Sequence, residues 1–242
     1  MTVDPLVLNP EIDRATARLL ETAQAIDDAA VREPSLLPGW TRGHVLTHVA
    51  RNADGCTNLL TWARTGVETP QYAGWESREA DITAGAGRPV AEHVSDLKAS
   101  AERFAEAVAK MPPQAWAATV RWLSGRTDHA TGVMWSRLRE VEVHHVDLAL
   151  SYVPSSWPDA FVHRLLHEVT VGFTADPKAP AMRLHAEDLG HELTIGSSSA
   201  SAGAPTVSGP GHALAAWLTG RSRGAGLTMT PDGPLPEVPR WR

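Results

Sequence analysis

Apolar residues recur at helical spacing through the first half of the chain. Ile12, Ala15, Leu19, Ala23 and Ile26 mark one face and predict a first helix over 10–31, ending before the loop R-E-P-S-L-L-P-G-W. Pro38-Gly39 makes a turn, and Thr41 is a suitable N-cap for a helix over about 42–64, with Gly66 as its stop signal. Gly55 weakens that helix without breaking it. Residues 67–88 read as a connection with a short helix around Arg78 to Thr83, and Pro89 opens a third long helix reaching Lys110. Pro112-Pro113 ends it. A Trp-rich link containing Trp116 and Trp122, with Ser124-Gly125 as a turn, leads to a fourth long helix over about 131–151.

Four long helices with no alternating segment among them predict a four-helix bundle for residues 1–152. The run V-P-S-S-W-P-D breaks the pattern and predicts a boundary, with a second domain over 158–242. There, a helix near 159–174 precedes strand-like runs at 182–186, 192–195, 205–208 and 227–230, with a helix from His212 to Thr219 before the last of them. The polar S-S-S-A-S-A-G stretch (197–203) reads as a loop, and no internal repeat is evident. The expected fold class is α+β: a helical bundle followed by a smaller α/β domain, a small sheet covered by helices.

Composition narrows the function classes. With 242 residues and 43% apolar content the chain can bury a substantial core. Lys plus Arg is 22 against 28 Asp plus Glu, a net charge of −6 with both signs evenly scattered, which argues against a nucleic-acid surface. The amino-terminal M-T-V-D-P-L-V-L-N-P lacks a charged n-region and a long apolar h-region, and no stretch nears the roughly 20 apolar residues of a membrane span. A cytoplasmic protein without membrane or nucleic-acid partners is expected. Cys56 is the only cysteine, which excludes an internal disulfide and a cysteine-rich zinc site, and its setting reads as that of a small buried hydrophobe.

Candidate chemistry lies in two helical stretches. Glu140 and His144 are four apart, so their β-carbons stand about 5–6 Å apart on one face and can share an ion. Their competing reading is a solvated stripe, extended by Arg137, Asp147 and Ser151, in which Glu140 merely pairs with a protonated His144. His44 and His48 are also four apart, and either can supply a third ligand; His48 lies one turn deeper, where it can face the fourth helix. Two imidazoles and a carboxylate leave a metal with an open position, and these donor types admit zinc, iron, cobalt or nickel. Glu142 and His145 point about 100° or more from the ligand face and read as supporting residues. His93, His129, His163, His167, His185, His191 and His212 show no matching partner spacing and read as surface or supporting positions. The nine tryptophans, among them Trp40, Trp62, Trp135 and Trp217, read as core.

The segments P-G-W-T-R-G-H-V-L-T-H-V-A-R-N-A and W-S-R-L-R-E-V-E-V-H-H-V-D-L, the G-R-S-R-G step and the closing P-E-V-P-R-W together resemble the mycothiol-dependent maleylpyruvate isomerase family, in order and over nearly the whole chain. The resemblance implies a DinB/YfiT-like metal-binding four-helix bundle and a C-terminal α/β domain similar to sterol-carrier folds. It implies His48, Glu140 and His144 as metal ligands and a functional arginine at the G-R step, Arg221, with Arg223 close enough to leave the register open. By position alone, Arg221 is a surface residue favoured by the dipole of a helix C-terminus.

The activity implied is cis-trans isomerisation of maleylpyruvate to fumarylpyruvate in aromatic (gentisate) degradation. The cofactors implied are zinc or another divalent metal and mycothiol, a low-molecular-weight thiol that adds to the double bond, allows rotation and is expelled. Arg221 is expected to grip a substrate carboxylate and offset enolate charge, in a site between the domains. A mycothiol S-transferase acting on another electrophile is the alternative, distinguished by whether thiol is consumed. Metal-assisted hydrolysis or dechlorination, and a non-enzymatic ligand carrier, rank lower.

Overall fold

In the computed structural model, residues 5–197 and 203–241 are described, and the chain divides into two compact units at Tyr152/Val153. Most of the expected polar loop at 197–203 lies outside the described residues.

The first unit is a bundle built from α1 (Asn9–Gln24), α3 (Arg42–Thr65), α5 (Val90–Ala109) and α6 (Thr131–Asp147), with two shorter helices, α2 (Asp28–Arg32) and α4 (Trp75–Ala86), in its connections. α1 packs on α5 and α6, and α3 packs on the same two helices, so α1 and α3 lie diagonally across the bundle. The expected helix over 10–31 is two helices. After Ala25 the Asp27 carboxylate accepts a hydrogen bond from the Ala30 N–H at 2.8 Å and starts a new helix. The neighbouring Asp28 accepts from the Val90 N–H at 2.7 Å, satisfying a free donor at the start of α5.

The Thr41 signal places α3 as expected: its side chain accepts from the His44 N–H, and the His44 ring accepts from the Thr41 N–H in return. Gly55 sits within α3 because a Cβ there would stand 3.0–3.1 Å from Gln71 and Tyr72 of the following connection. α4 is longer than the expected Arg78 to Thr83 and packs on α3. The Trp-rich link forms a hairpin of β1 (Thr119–Arg121) and β2 (Thr127–His129), strands too short to show alternation in sequence. α6 stops at Asp147 instead of 151 because other donors take its last carbonyls. The Leu36 N–H donates to Asp147 O at 2.9 Å and Arg42 Nε to Leu148 O at 2.8 Å, and Ala149 turns into the left-handed region at φ 54°.

The second unit begins with α7 (Asp159–Ala175) and continues through β3 (Met182–Ala186), β4 (His191–Ile195), β5 (Thr206–Gly209), α8 (Gly211–Leu218) and β6 (Thr228–Thr230). The strands order as β4-β3-β5-β6; the β3–β5 pair is parallel and the two outer pairs are antiparallel. Leu184 sits opposite Leu193 on one side and Val207 on the other. Met182, Leu184 and Ala186 alternate inward beneath α7 and α8, the period-2 burial of a sheet covered on one face.

Candidate metal centre

α3 and α6 are neighbours, and two turns facing each other across their contact carry the candidate donors. His48 Nε2 lies 3.0 Å from Glu140 Oε2 and 3.1 Å from His144 Nε2, while His144 Nε2 lies 3.4 Å from Glu140 Oε2. Among the described residues this is the one group of three such side chains whose donor atoms all fall within 4.8 Å of one another. The two rings stand at 89° with centres 4.6 Å apart, and their Nε2 atoms meet at 3.1 Å. His48 is buried, whereas Glu140 and His144 are half-buried, leaving one side of the cluster open. That donor set and open side fit a divalent ion with a vacant coordination position.

Surrounding groups orient the donors. Asp147, fully buried, holds His144 Nδ1 at 2.8 Å, which places the ring proton on Nδ1 and turns Nε2 toward the cluster. Burial opposes a charge on His144, but the Asp147 and Glu140 hydrogen bonds outweigh it and raise its pKa to about 9. Burial and then the neighbouring His144 lower His48 to about 4, so His48 is neutral. Burial alone would push Glu140 upward, yet the hydrogen bonds to His144 and His48 hold its carboxyl well below the usual range. A divalent cation held there would take the place of the proton on His144 Nε2. The solvated-stripe reading fails, because Arg137 is 1% exposed and Asp147 0%. Arg137 instead ties α6 to α3, donating to Val49 O at 2.8 Å and Asn52 Oδ1 at 3.0 Å.

Sequence profiles match the chain along most of its length: the mycothiol maleylpyruvate isomerase N-terminal domain over residues 12–149 and the C-terminal domain of that enzyme over 156–240. The chain belongs to the mycothiol-dependent maleylpyruvate isomerase family. Two crystal structures, one of the mycothiol-dependent maleylpyruvate isomerase and one of a mutant of it, superpose with TM-scores of 0.90 at 29% and 28% identity. Each alignment covers 99% of this chain and 98% of the other. Comparison with curated protein sequences returns no match.

The remaining expected residues of this family member fall elsewhere. His44 is held by its helix-capping bonds, with Nδ1 2.8 Å from Thr41 Oγ1, and stacks on Trp40 rather than joining the cluster. Glu142 and His145 face α1 and do not support the donors: Glu142 accepts from Arg18 at 2.6 Å and from the Tyr152 hydroxyl, and His145 stacks on Tyr152 with Nε2 2.8 Å from Thr22 Oγ1. His93 is buried rather than superficial. Cys56 is fully buried and burial pushes its thiol up to about 12, which leaves it inert as a nucleophile.

Arg221 belongs to the second unit, just after α8. Its backbone N–H donates to Ala216 O and its Nη1 to Thr219 O, each at 2.7 Å, and its guanidinium lies 5.9 Å from the Trp241 ring centre. Arg223, two residues on, is exposed. Sequence reasoning missed Arg78 of α4, whose Nη2 stands 3.1 Å from His48 Nδ1. A guanidinium only donates, so Nδ1 accepts and the neutral ring keeps its proton on Nε2, the atom that must release it to bind a metal. Nothing in the spacing of the chain pairs Arg78 with His48; only the packing of α4 on α3 does.

Proposed function

We propose that this chain converts maleylpyruvate to fumarylpyruvate with mycothiol as the diffusible thiol and zinc as the resident ion, held by His48, Glu140 and His144. The single observation that carries the reading is the convergence of two imidazoles and one carboxylate, from α3 and α6, with one side left open. Two histidines, a carboxylate and a free position suit zinc among the ions these donors admit, and such an ion would supply the positive charge that lets a thiol lose its proton near neutral pH. Mycothiol, when bound, would supply the sulfur for a reversible addition that turns the substrate double bond into a rotatable single bond.

The protein's own residues have distinct parts in this reading. Asp147 fixes the tautomer of His144, and Glu140 contributes the one negative charge of the ligand set. Cys56 takes no part, which agrees with dependence on an external sulfur. Arg221 binds a substrate carboxylate through the planar fork of its guanidinium and offsets negative charge as the enolate develops.

The test is to supply zinc-loaded protein with mycothiol and maleylpyruvate and follow cis loss, trans gain and free thiol together. Loss of the cis acid matched by gain of the trans acid at constant thiol supports the isomerase. One thiol consumed per turnover overturns it in favour of S-transfer, and the absence of both reactions overturns it in favour of a binding role.

A further inference from the structure

The second unit carries another convergence of imidazoles. His163 and His167 are four apart on α7, so they do have the partner spacing that the sequence was expected to deny them, and His191 opens β4. The ring centres of His163 and His191 lie 4.4 Å apart, those of His163 and His167 4.6 Å, and those of His167 and His191 6.5 Å. With metal–nitrogen bonds of about 2.0–2.1 Å, imidazoles around a tetrahedral ion stand about 5 Å apart centre to centre. The His48–His144 pair of the bundle has the same 4.6 Å separation as His163–His167.

The arrangement also repeats the bundle's plan, an i,i+4 pair on one helix joined by one residue from a second element. Both elements are fixed: α7 packs on β4, and His191 sits in the strand ladder opposite Ala186. The donor nitrogens of the three rings are spread more widely than the bundle donors, which all fall within 4.8 Å of one another. His167 and His191 are exposed, however, so both rings have solvent to turn into about their own side-chain bonds, and the site requires that turn.

We propose that His163, His167 and His191 form a second metal site, which takes one imidazole-preferring divalent transition ion such as Zn²⁺, Ni²⁺ or Cu²⁺ and leaves its remaining positions to water. The ion clips α7 to the edge strand of the sheet, and because it binds the folded arrangement it stabilises the second unit. The site is independent of the bundle donors and of the reaction assigned to them.

The experiment is a zinc titration of metal-free protein by calorimetry, with metal content measured after desalting. The wild-type chain should take two ions. His191→Ala and the double variant His163→Ala/His167→Ala should each take one fewer and lose the zinc-induced rise in Tm of the second unit, with circular dichroism unchanged. The His48→Ala chain should keep the second ion, and its Cu²⁺ complex should show more than one coordinated imidazole by pulsed electron paramagnetic resonance. A single ion on the wild-type chain, a second ion that survives in both variants, or Cu²⁺ in the His48→Ala chain bound by one imidazole alone would overturn the site. The resonance measurement needs neither variant of the second unit to fold.

Discussion

The carboxylate of Asp147 sits behind His144 with no exposure to solvent, and its charge is what makes Nδ1 a strong donor and Nε2 a good ligand. Asp147→Asn keeps the side-chain volume but removes that charge, and metal affinity should fall about 10- to 100-fold. Competition against a chromophoric chelator measures it; unchanged affinity would mean that Asp147 only fills space. Arg221→Lys keeps a cation but loses the two-pronged geometry, so turnover should drop while metal content stays at the wild-type level. Steady-state kinetics with metal analysis checks this, and wild-type turnover would remove Arg221 from the reaction. At this scale the cluster was legible because helical spacing alone puts Glu140 and His144 on one face, and His48 could be preferred over His44 by depth. Arg78 was illegible, since its tie to His48 spans 30 positions and depends on how α4 lies over α3.

Elements were legible where their ends carried local chemistry. Thr41 and Gly66 bounded α3, and Pro89 preceded α5, each through a cap or a missing donor that acts within a few residues. The end of α6 was hidden because its cause is remote, in Leu36 and Arg42. A close helix contact in the bundle has an equally remote cause. A Cβ on Gly43, near the start of α3, would lie 2.1 Å from the carbonyl oxygen of Ala86 at the end of α4. That backbone oxygen cannot swing aside as a side chain could, so Gly43→Ala should separate the two helices and cost on the order of 3 kcal/mol. Denaturant unfolding measures the loss, and a variant as stable as wild type would show that the crossing can relax freely.

Across the whole molecule, the sequence conveyed the bundle and the mixed unit after it because amphipathic periodicity changes character near the V-P-S-S-W-P-D run. It did not convey that His93 is interior, because a histidine on a helix looks the same whether it faces solvent or a neighbour. Burial first, and then Arg88, lower the pKa of His93 to about 4. An unfolded chain would hold it near 6.5, so between those values the unfolded state binds the extra proton. The stability due to neutral His93 is therefore complete above pH 6.5 and lost as pH falls toward 4, at a limiting slope of about 1.4 kcal/mol per pH unit. Replacing it as His93→Phe should flatten the fall of Tm between pH 7 and 4.5, and an identical profile in the variant would assign acid sensitivity to other groups.

The sealed position of Cys56 also separates two kinds of damage. Haloacetamides and peroxides meet no accessible sulfhydryl on the native polypeptide, so the protein itself offers them no thiol to alkylate or oxidise. Peptide mapping after iodoacetamide should find Cys56 carbamidomethylated only in denaturant. Labelling of the native chain would show that the interior of α3 opens often enough to admit small electrophiles.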